Sequence, residues 1–174
     1  MGFFDKLRGN NNKTKINKLD PVKLEKNTVY APVAGELISL ADFPDETFSE
    51  GILGQGCGIR PSEELVKAPF DGEVVALLKS YHALGLRSNN GIELLIHVGV
   101  DTVTMEGRGF TPFVKIGDKI AMGQDLLRFS MSEIHAAGFD ASVAVVVTNS
   151  DAFKTIEAKE SSMVGFGEPI LKLE

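Results

Sequence analysis

The fold is decided by residues 88–103, which read SNNGIELLIHVGVDTV. The opening Asn89-Asn90-Gly91 favours left-handed backbone and predicts a turn, and alternating apolar residues after it predict a half-buried strand. Because strand side chains alternate between two faces, one face is uniformly apolar and predicted to be core; it consists of Ile92, Leu94, Ile96 and Val98. The other face carries Glu93, Leu95 and His97. The stretch therefore presents an imidazole on a rigid strand.

Length and composition fit one globular domain. The chain has 174 residues, of which 43% are hydrophobic and 24% are charged. A net charge of -6 disfavours nucleic-acid binding and favours basic or neutral partners. Cys57 is the only cysteine, which excludes an intramolecular disulfide. The sequence has no apolar run of the ~20 residues that a membrane span needs and no signal peptide, so a cytoplasmic protein is predicted.

Residues 1–19 differ from the remainder and predict a flexible, amphipathic leader ahead of a single domain at 20–174. The first eight residues place Phe3, Phe4 and Leu7 beside the basic Lys6 and Arg8. Such a pattern is compatible with peripheral contact with a membrane surface. We expect the leader to be dispensable for folding, because it has few groups that could join a core.

Two short units recur along the chain. Ala31-Pro32-Val33-Ala34-Gly35 returns at residues 68–72, and Val114-Lys115-Ile116-Gly117-Asp118 is echoed at residues 164–168. Each unit couples a glycine to an adjacent strand pattern. The repetition, with turn signals at near-regular spacing, predicts an all-β, internally duplicated antiparallel sandwich or barrel.

Helical patterns are scarce. Met131–Ala137 is the best candidate, with Ser130 and Glu133 as a capping box and Gly138 as the stop. A weaker helix is predicted for residues 151–156. An acidic loop, residues 41–50, carries two phenylalanines that fit either core positions or a docking surface. Residues 143–148 are rich in valine and predict a buried strand.

The chain has three histidines, of which His135 is predicted to face solvent on the short helix. If His82 and His97 lie on strands joined through residues 87–91, their rings can meet across the sheet, where neighbours sit about 5 Å apart. Two imidazoles at such a short distance are suited to metal binding, general acid/base catalysis or phosphoryl relay. In a relay, one nitrogen attacks while the other is held as N–H by an acceptor, a role open to a backbone carbonyl near Gly99.

Several motifs together resemble the glucose-type enzyme IIA family (EIIA-Glc) of the bacterial phosphoenolpyruvate:sugar phosphotransferase system. They are residues 93–103, Gly107-Arg108-Gly109-Phe110, Ser80-Tyr81-His82-Ala83 and the two repeated units. The resemblance covers roughly residues 29–173. It implies the duplicated hybrid motif in an antiparallel β-sandwich with one or two very short helices. It also implies a phosphocarrier that uses no cofactor.

The resemblance implies a role for each site residue. His97 would accept a phosphoryl group from the phosphocarrier protein HPr and pass it to a cysteine of a IIB domain for coupled sugar uptake. His82 would steady the phosphoryl group, and Ser80, where the family commonly has Thr, would hydrogen-bond a histidine. A docking surface for the partners is expected from two carboxylates and four apolar side chains: Asp45, Asp101, Phe48, Leu78, Leu95 and Val103.

Alternative functions remain open at the level of sequence. A family member can act as a regulatory protein whose binding depends on its phosphorylation state. A zinc metallopeptidase of the lysostaphin type is suggested by the spacing of His97 and Asp101, but the His-x-His triplet of those enzymes is absent. A lipoyl or biotinyl carrier would need a lysine hairpin that is also absent. The site requires no metal, although His82 and His97 could bind zinc opportunistically.

Overall fold

A computed structural model describes residues 23–174. The predicted leader at 1–19 and the predicted start of the domain at residue 20 lie outside the described residues. The described part forms two helices, α1 (Glu46–Ser49) and α2 (Met131–Ala136), and fourteen strands. The strands are β1 (Thr28–Tyr30), β2 (Gly35–Ser39), β3 (Gln55–Pro61), β4 (Leu65–Lys67), β5 (Gly72–Leu77), β6 (Ala83–Ser88), β7 (Glu93–Val98), β8 (Phe110–Pro112), β9 (Lys119–Ile120), β10 (Asp125–Phe129), β11 (Val143–Val147), β12 (Ile156–Ala158), β13 (Ser162–Val164) and β14 (Pro169–Leu173).

The strands of the described part form three sheets, and their paired neighbours are antiparallel. The large sheet has the order β13-β2-β3-β11-β7-β6-β5-β9, and two three-stranded sheets have the orders β1-β14-β12 and β4-β10-β8. The main core draws on all three sheets and includes Leu37, Ile96, Leu127, Val145 and Leu171, each fully buried. The predicted all-β sandwich is confirmed.

The order of the strands shows the internal duplication that the sequence predicts. β13, β2, β3 and β11 on one half of the large sheet correspond to β9, β5, β6 and β7 on the other half. The sheet β1-β14-β12 corresponds in the same way to β4-β10-β8. β7 and β11 lie at the centre of the large sheet, where the two halves meet.

The Ala-Pro units occupy equivalent places in the two halves. The Ala31 N–H donates to the Glu168 carbonyl and the Gly167 N–H donates to the Ala31 carbonyl. In the other half, Ala68 makes the same two bonds with Gln124 and Gly123. The structural counterpart of the turn at residues 165–168 is therefore the turn at 121–124. The sequence echo at residues 115–118 is a third turn of the same kind, in which Asp118 accepts from the Lys115 N–H.

The strand predicted at residues 143–148 is β11, and all five of its residues are buried. The predicted helix at 131–137 is α2, and the Ser130 hydroxyl accepts from the Glu133 N–H as the capping box requires. His135 on α2 is exposed, as predicted. The prediction of a weaker helix at residues 151–156 is wrong. A single 3-10 turn at Ser150–Ala152 is followed by an extended residue, Phe153, and then by β12.

A second, smaller apolar cluster covers the outer face of the large sheet. The acidic segment predicted as a loop folds into a 3-10 turn at Leu40–Asp42 and the helix α1, whose Asp45 carboxylate caps the Thr47 N–H. Phe43 and Phe48 are buried beneath this segment. They pack with Ile38, Leu40, Ala144 and Val146, with Leu95 and Val100 at the margin.

Neither helix of the described residues has the length and hydrophobicity to pass through a lipid bilayer.

We expect Gly72→Ala to destabilise the fold severely. A Cβ at position 72 would lie 2.0 Å from the Arg87 carbonyl oxygen in the neighbouring strand β6. The oxygen is a backbone atom and the Cβ position is fixed by the backbone of residue 72, so the clash cannot be relieved by a change of rotamer. The free energy of unfolding should fall by more than about 3 kcal/mol, at or beyond the usual cost of overpacking.

Gly138→Ala is the matched control, because a Cβ there meets nothing within 4 Å and only its positive φ of +88° opposes the change. That strain alone costs about 1–2 kcal/mol. Denaturant unfolding of both variants tests the difference, and equal losses would contradict the steric explanation.

Candidate active site

His97 projects from the outer face of β7, as the alternating pattern predicts. Its neighbours along the strand, Ile96 and Val98, are fully buried on the core face, whereas His97 is partly exposed. Across the sheet, His97 pairs with Ala83 of β6 on one side and with Ala144 of β11 on the other. Because both cross-strand partners are alanines, the imidazole has room above the sheet.

His82 lies beside His97, although it is not on a strand as predicted. It occupies the last position of the turn between β5 and β6, one residue before β6 begins. Its carbonyl accepts a 2.7 Å hydrogen bond from the Val98 N–H of β7. This bond extends the β6–β7 ladder by one position and places His82 next to His97.

The two imidazole rings meet edge to face. Their centroids lie 4.9 Å apart, with an angle of 81° between the ring planes. His82 is only 3% exposed. In both rings Nδ1 is buried and has no hydrogen-bond partner among residues 23–174, so Nδ1 is closed to an incoming group. The nitrogen that each ring can offer to an incoming group is therefore Nε2.

An aromatic stack lies beside the pair on the outer face of the large sheet. The Phe48 ring lies 5.0 Å from the His97 ring, and the Phe43 ring lies 5.3 Å from that of Phe48. Phe43 fits against the sheet because position 58 is glycine, where a Cβ would lie 2.8 Å from the Phe43 ring. Phe48 is only 3% exposed, so it supports His97 and does not provide the docking surface predicted for it.

The apolar surroundings keep both rings neutral. The pKa of His97 is lowered from 6.5 to about 4, first by burial and then by the neighbouring His82. The Gly99 backbone and the carboxylates of Asp45 and Asp101 act in the opposite direction but do not outweigh burial. Burial also lowers the pKa of His82. At neutral pH both imidazoles are therefore uncharged, and His97 has a lone pair available for nucleophilic attack.

The loop after β7 is fastened to the end of the strand. The buried Thr102 hydroxyl donates a 2.6 Å hydrogen bond to the Val98 carbonyl. This loop carries the exposed Asp101 and Val103, the latter 53% exposed. Leu78, in the turn before His82, is 48% exposed, and Leu95 is partly buried beside the outer cluster. The structure thus leaves Leu78 and Val103 more open than Leu95.

Ser80 lies in the same turn as His82 and is partly buried. No hydrogen bond joins its hydroxyl to either imidazole in the described part of the chain, so its role stays a prediction. Within residues 23–174, no group of three or more His, Cys, Asp or Glu residues is placed to hold a metal ion. Cys57 is buried in β3, and burial raises the pKa of its thiol to about 12, which makes it unreactive.

Two contributors to the site were missed from the sequence. Tyr81 has a left-handed backbone with φ of +57°, directly before His82. A tyrosine gives no sequence signal for that conformation, which usually favours Gly, Asn or Asp. Phe43 could be assigned to the stack only once its position over Gly58 was known.

A duplicated antiparallel sandwich with two neutral histidines at its centre defines a class of protein, and comparison identifies that class. The family described as phosphoenolpyruvate-dependent sugar phosphotransferase system, EIIA 1, matches residues 27–153. This chain belongs to that family.

Individual relatives agree with the family match. A glucose-specific EIIA component of Staphylococcus epidermidis is 37% identical over 147 residues, which cover 84% of this chain and 89% of the relative. A β-glucoside-specific EIIBCA component of Dickeya chrysanthemi is 43% identical over 146 residues, but this chain spans only 23% of that protein's length. The solved structure of glucose permease IIA from Mycoplasma capricolum is 31% identical with a TM-score of 0.74, covering 83% of this chain and 93% of that one.

We predict that His97 titrates near pH 4, well below an ordinary histidine. In the unfolded chain the imidazole binds a proton as the pH falls through 6.5, whereas in the folded protein it stays neutral until about pH 4. The unfolded state therefore binds more protons in this window, and stability decreases as the pH falls from 6.5 to 4. The decrease due to His97 should be at most about 3 kcal/mol.

Proton NMR of the imidazole and denaturant unfolding across pH 4–7 measure the two effects. His97→Gln provides the control, since it removes this contribution and leaves the carboxylates unchanged. If wild type and His97→Gln lose stability in parallel over this window, burial does not govern the titration.

Proposed function

We propose that this protein is a phosphocarrier of the sugar phosphotransferase system, with His97 as the residue that carries the phosphoryl group. The donor would be phospho-HPr and the acceptor a cysteine of a IIB domain. The observation that supports it best is the pair of neutral imidazoles 4.9 Å apart on the outer face of the sheet. The name of the Dickeya chrysanthemi relative, which joins B, C and A units, supports the link to a IIB domain.

The chemistry follows from the atoms that are free. The Nε2 lone pair of His97 attacks phosphorus, a new N–P bond forms, and the bond between phosphorus and the donor's histidine breaks. In the second step the IIB thiolate attacks the same phosphorus, an S–P bond forms, and His97 becomes neutral again. Each step leaves the number of phosphoryl groups unchanged and needs no metal or cofactor.

His82 is better suited to stabilise charge than to attack. An N–H donor directed at the phosphoryl oxygens stabilises the negative charge that accumulates in the transition state. Burial of the ring, 3% exposed, strengthens such a bond because little water competes with it. His97 stands on a central strand and is partly exposed, which suits direct contact with a partner protein.

The surface around the pair would receive the partners. Leu78, in the turn before His82, and Val103, in the loop after β7, give exposed apolar side chains on the segments next to the histidines, and Asp101 adds a carboxylate. Asp45 caps α1 and is partly buried, so it would act at the margin of this surface. Apolar centres with polar rims are usual in transient interfaces. Basic side chains on the donor would meet these carboxylates.

We predict separable roles for the two histidines. After incubation with phosphoenolpyruvate, enzyme I and HPr, mass spectrometry should find acid-labile, base-stable phosphate on the wild type and none on His97→Ala. His82→Gln should still accept phosphate from HPr. Its onward transfer to the IIB cysteine should fall by about 10²–10⁴, because glutamine keeps an amide donor but cannot relay a proton.

The exposed His135 on α2 gives the matched control, and His135→Gln should behave like wild type in both half-reactions. Acceptance by His97→Gln and none by His82→Gln would mean that the roles are reversed. Normal acceptance by both variants would refute the phosphocarrier proposal.

We also predict that Asp101 accelerates association with HPr. Asp101 has a left-handed backbone, φ of +59°, and asparagine tolerates that conformation, so Asp101→Asn changes charge with little change in shape. The variant should accept phosphate more slowly at low salt, and the difference should shrink near 1 M salt, where the Debye length is about 3 Å.

Glu157→Gln serves as the control, because Glu157 is exposed on β12 in a three-stranded sheet away from the histidines. Rapid-quench measurements across ionic strength separate the two variants. A slowing of Asp101→Asn that is equal at all salt concentrations would argue against electrostatic steering.

A further inference from the structure

Tyr81 occupies a strained position directly before His82. Its φ of +57° lies in the left-handed region, where a bulky side chain is rarely found. The turn around it is closed by two backbone bonds, from the Tyr81 N–H to the Leu78 carbonyl at 2.8 Å and from the Leu78 N–H to the Ala83 carbonyl at 3.1 Å. Strain of this kind persists only where surrounding contacts enforce it.

The Tyr81 ring lies next to a different loop. A Cβ placed on Gly107 would lie 3.4 Å from Cδ2 and 3.7 Å from Cε2 of Tyr81, so the ring lies beside the open face of this glycine. Gly107 closes the loop that begins at Asp101 and that Thr102 fastens to the end of β7. Tyr81 thus joins the turn that carries His82 to the loop that carries Asp101 and Val103.

His82 depends on such support. Its buried Nδ1 has no hydrogen-bond partner among the described residues, so no side-chain bond at that atom fixes the ring. Its carbonyl is held by the Val98 N–H, which fixes the backbone after Tyr81 but leaves the preceding turn to be fixed by other contacts. The packing of Tyr81 on Gly107 provides one.

We propose that Tyr81 is a positioning residue for phosphoryl transfer, whose ring packs on Gly107 and holds the left-handed turn so that His82 faces His97. Tyr81 is 39% exposed, and the proposal gives this surface aromatic a role at the site. It rests on the proposed phosphocarrier function for its effect on rate, but its effect on the position of His82 is independent of that function.

Three substitutions separate the ring from the backbone. Tyr81→Phe keeps the ring, Tyr81→Asn keeps a residue that tolerates φ above zero, and Tyr81→Gly keeps neither the ring nor the strain. We expect Tyr81→Phe to transfer phosphate like wild type. Tyr81→Asn and Tyr81→Gly should pass phosphate to the IIB cysteine about ten- to a hundredfold more slowly, as misplaced catalytic groups do, with a smaller effect on acceptance from HPr.

The imidazole NMR signals of His82 provide a readout that needs no phosphoryl transfer. They should shift in Tyr81→Asn and Tyr81→Gly and stay unchanged in Tyr81→Phe. Asn27→Gly is the matched control, since Asn27 has φ of +54° in the turn before β1, and it should leave both rates and signals unchanged. The Asn27 carbonyl accepts from the Leu173 N–H of β14, in a three-stranded sheet that contains neither histidine. The melting transition of Tyr81→Gly should stay close to that of wild type, because relief of strain offsets the lost contact.

The proposal is overturned if the His82 signals in Tyr81→Gly match wild type, or if they change only when the melting transition falls below the assay temperature. Wild-type rates and signals in Tyr81→Asn would also overturn it, because the backbone conformation alone would then suffice. If the wild type takes up no phosphate while the His82 signals respond as expected, the phosphocarrier function fails and the positioning role stands.

Discussion

The site depends on the antiparallel register between β6 and β7. That register pairs Ala83 with His97 and continues into the hydrogen bond between the Val98 N–H and the His82 carbonyl. Because side chains alternate along a strand, a slip of one residue would move His97 into the core and bring Ile96 or Val98 to the outer face. The apolar face of β7 prevents this slip, since it would expose several fully buried side chains. Burial of apolar side chains in the core therefore also sets the position of the two histidines.

Two imidazoles that each bury an unpaired Nδ1 would ordinarily weaken a fold, because these polar nitrogens lose water without gaining partners. In this protein the free-energy cost of burial is limited because the imidazoles are uncharged. Burial holds the pKa of His97 near 4, so no charge is buried at neutral pH. His97 therefore keeps a lone pair free of a proton at neutral pH, as nucleophilic attack in the proposed phosphoryl transfer would require. The Phe43–Phe48 stack maintains that state from the side of the sheet opposite to the core.

Sequence reasoning predicted much of this architecture because the strongest patterns lie in regular elements. The alternation in β7, the valines of β11 and the cap of α2 depend on local residues, and the structure confirms all three. Prediction failed where tertiary contacts decide. His82 was assigned to a strand, but the left-handed Tyr81 places it in a turn. Phe48 was assigned to the surface, but space over the sheet beside Gly58 allows the aromatic stack to be buried.

The short edge strands of the large sheet limit how this protein can bind other proteins. Its two edge strands, β13 and β9, contain only three and two residues. Short edges offer few unpaired backbone groups, so another chain finds little opportunity to extend the sheet. Contact at the histidines must then rely on side chains of a modest apolar surface, without a continuous backbone ladder. Complexes formed in this way would dissociate readily, as the proposed exchange between a donor and an acceptor requires.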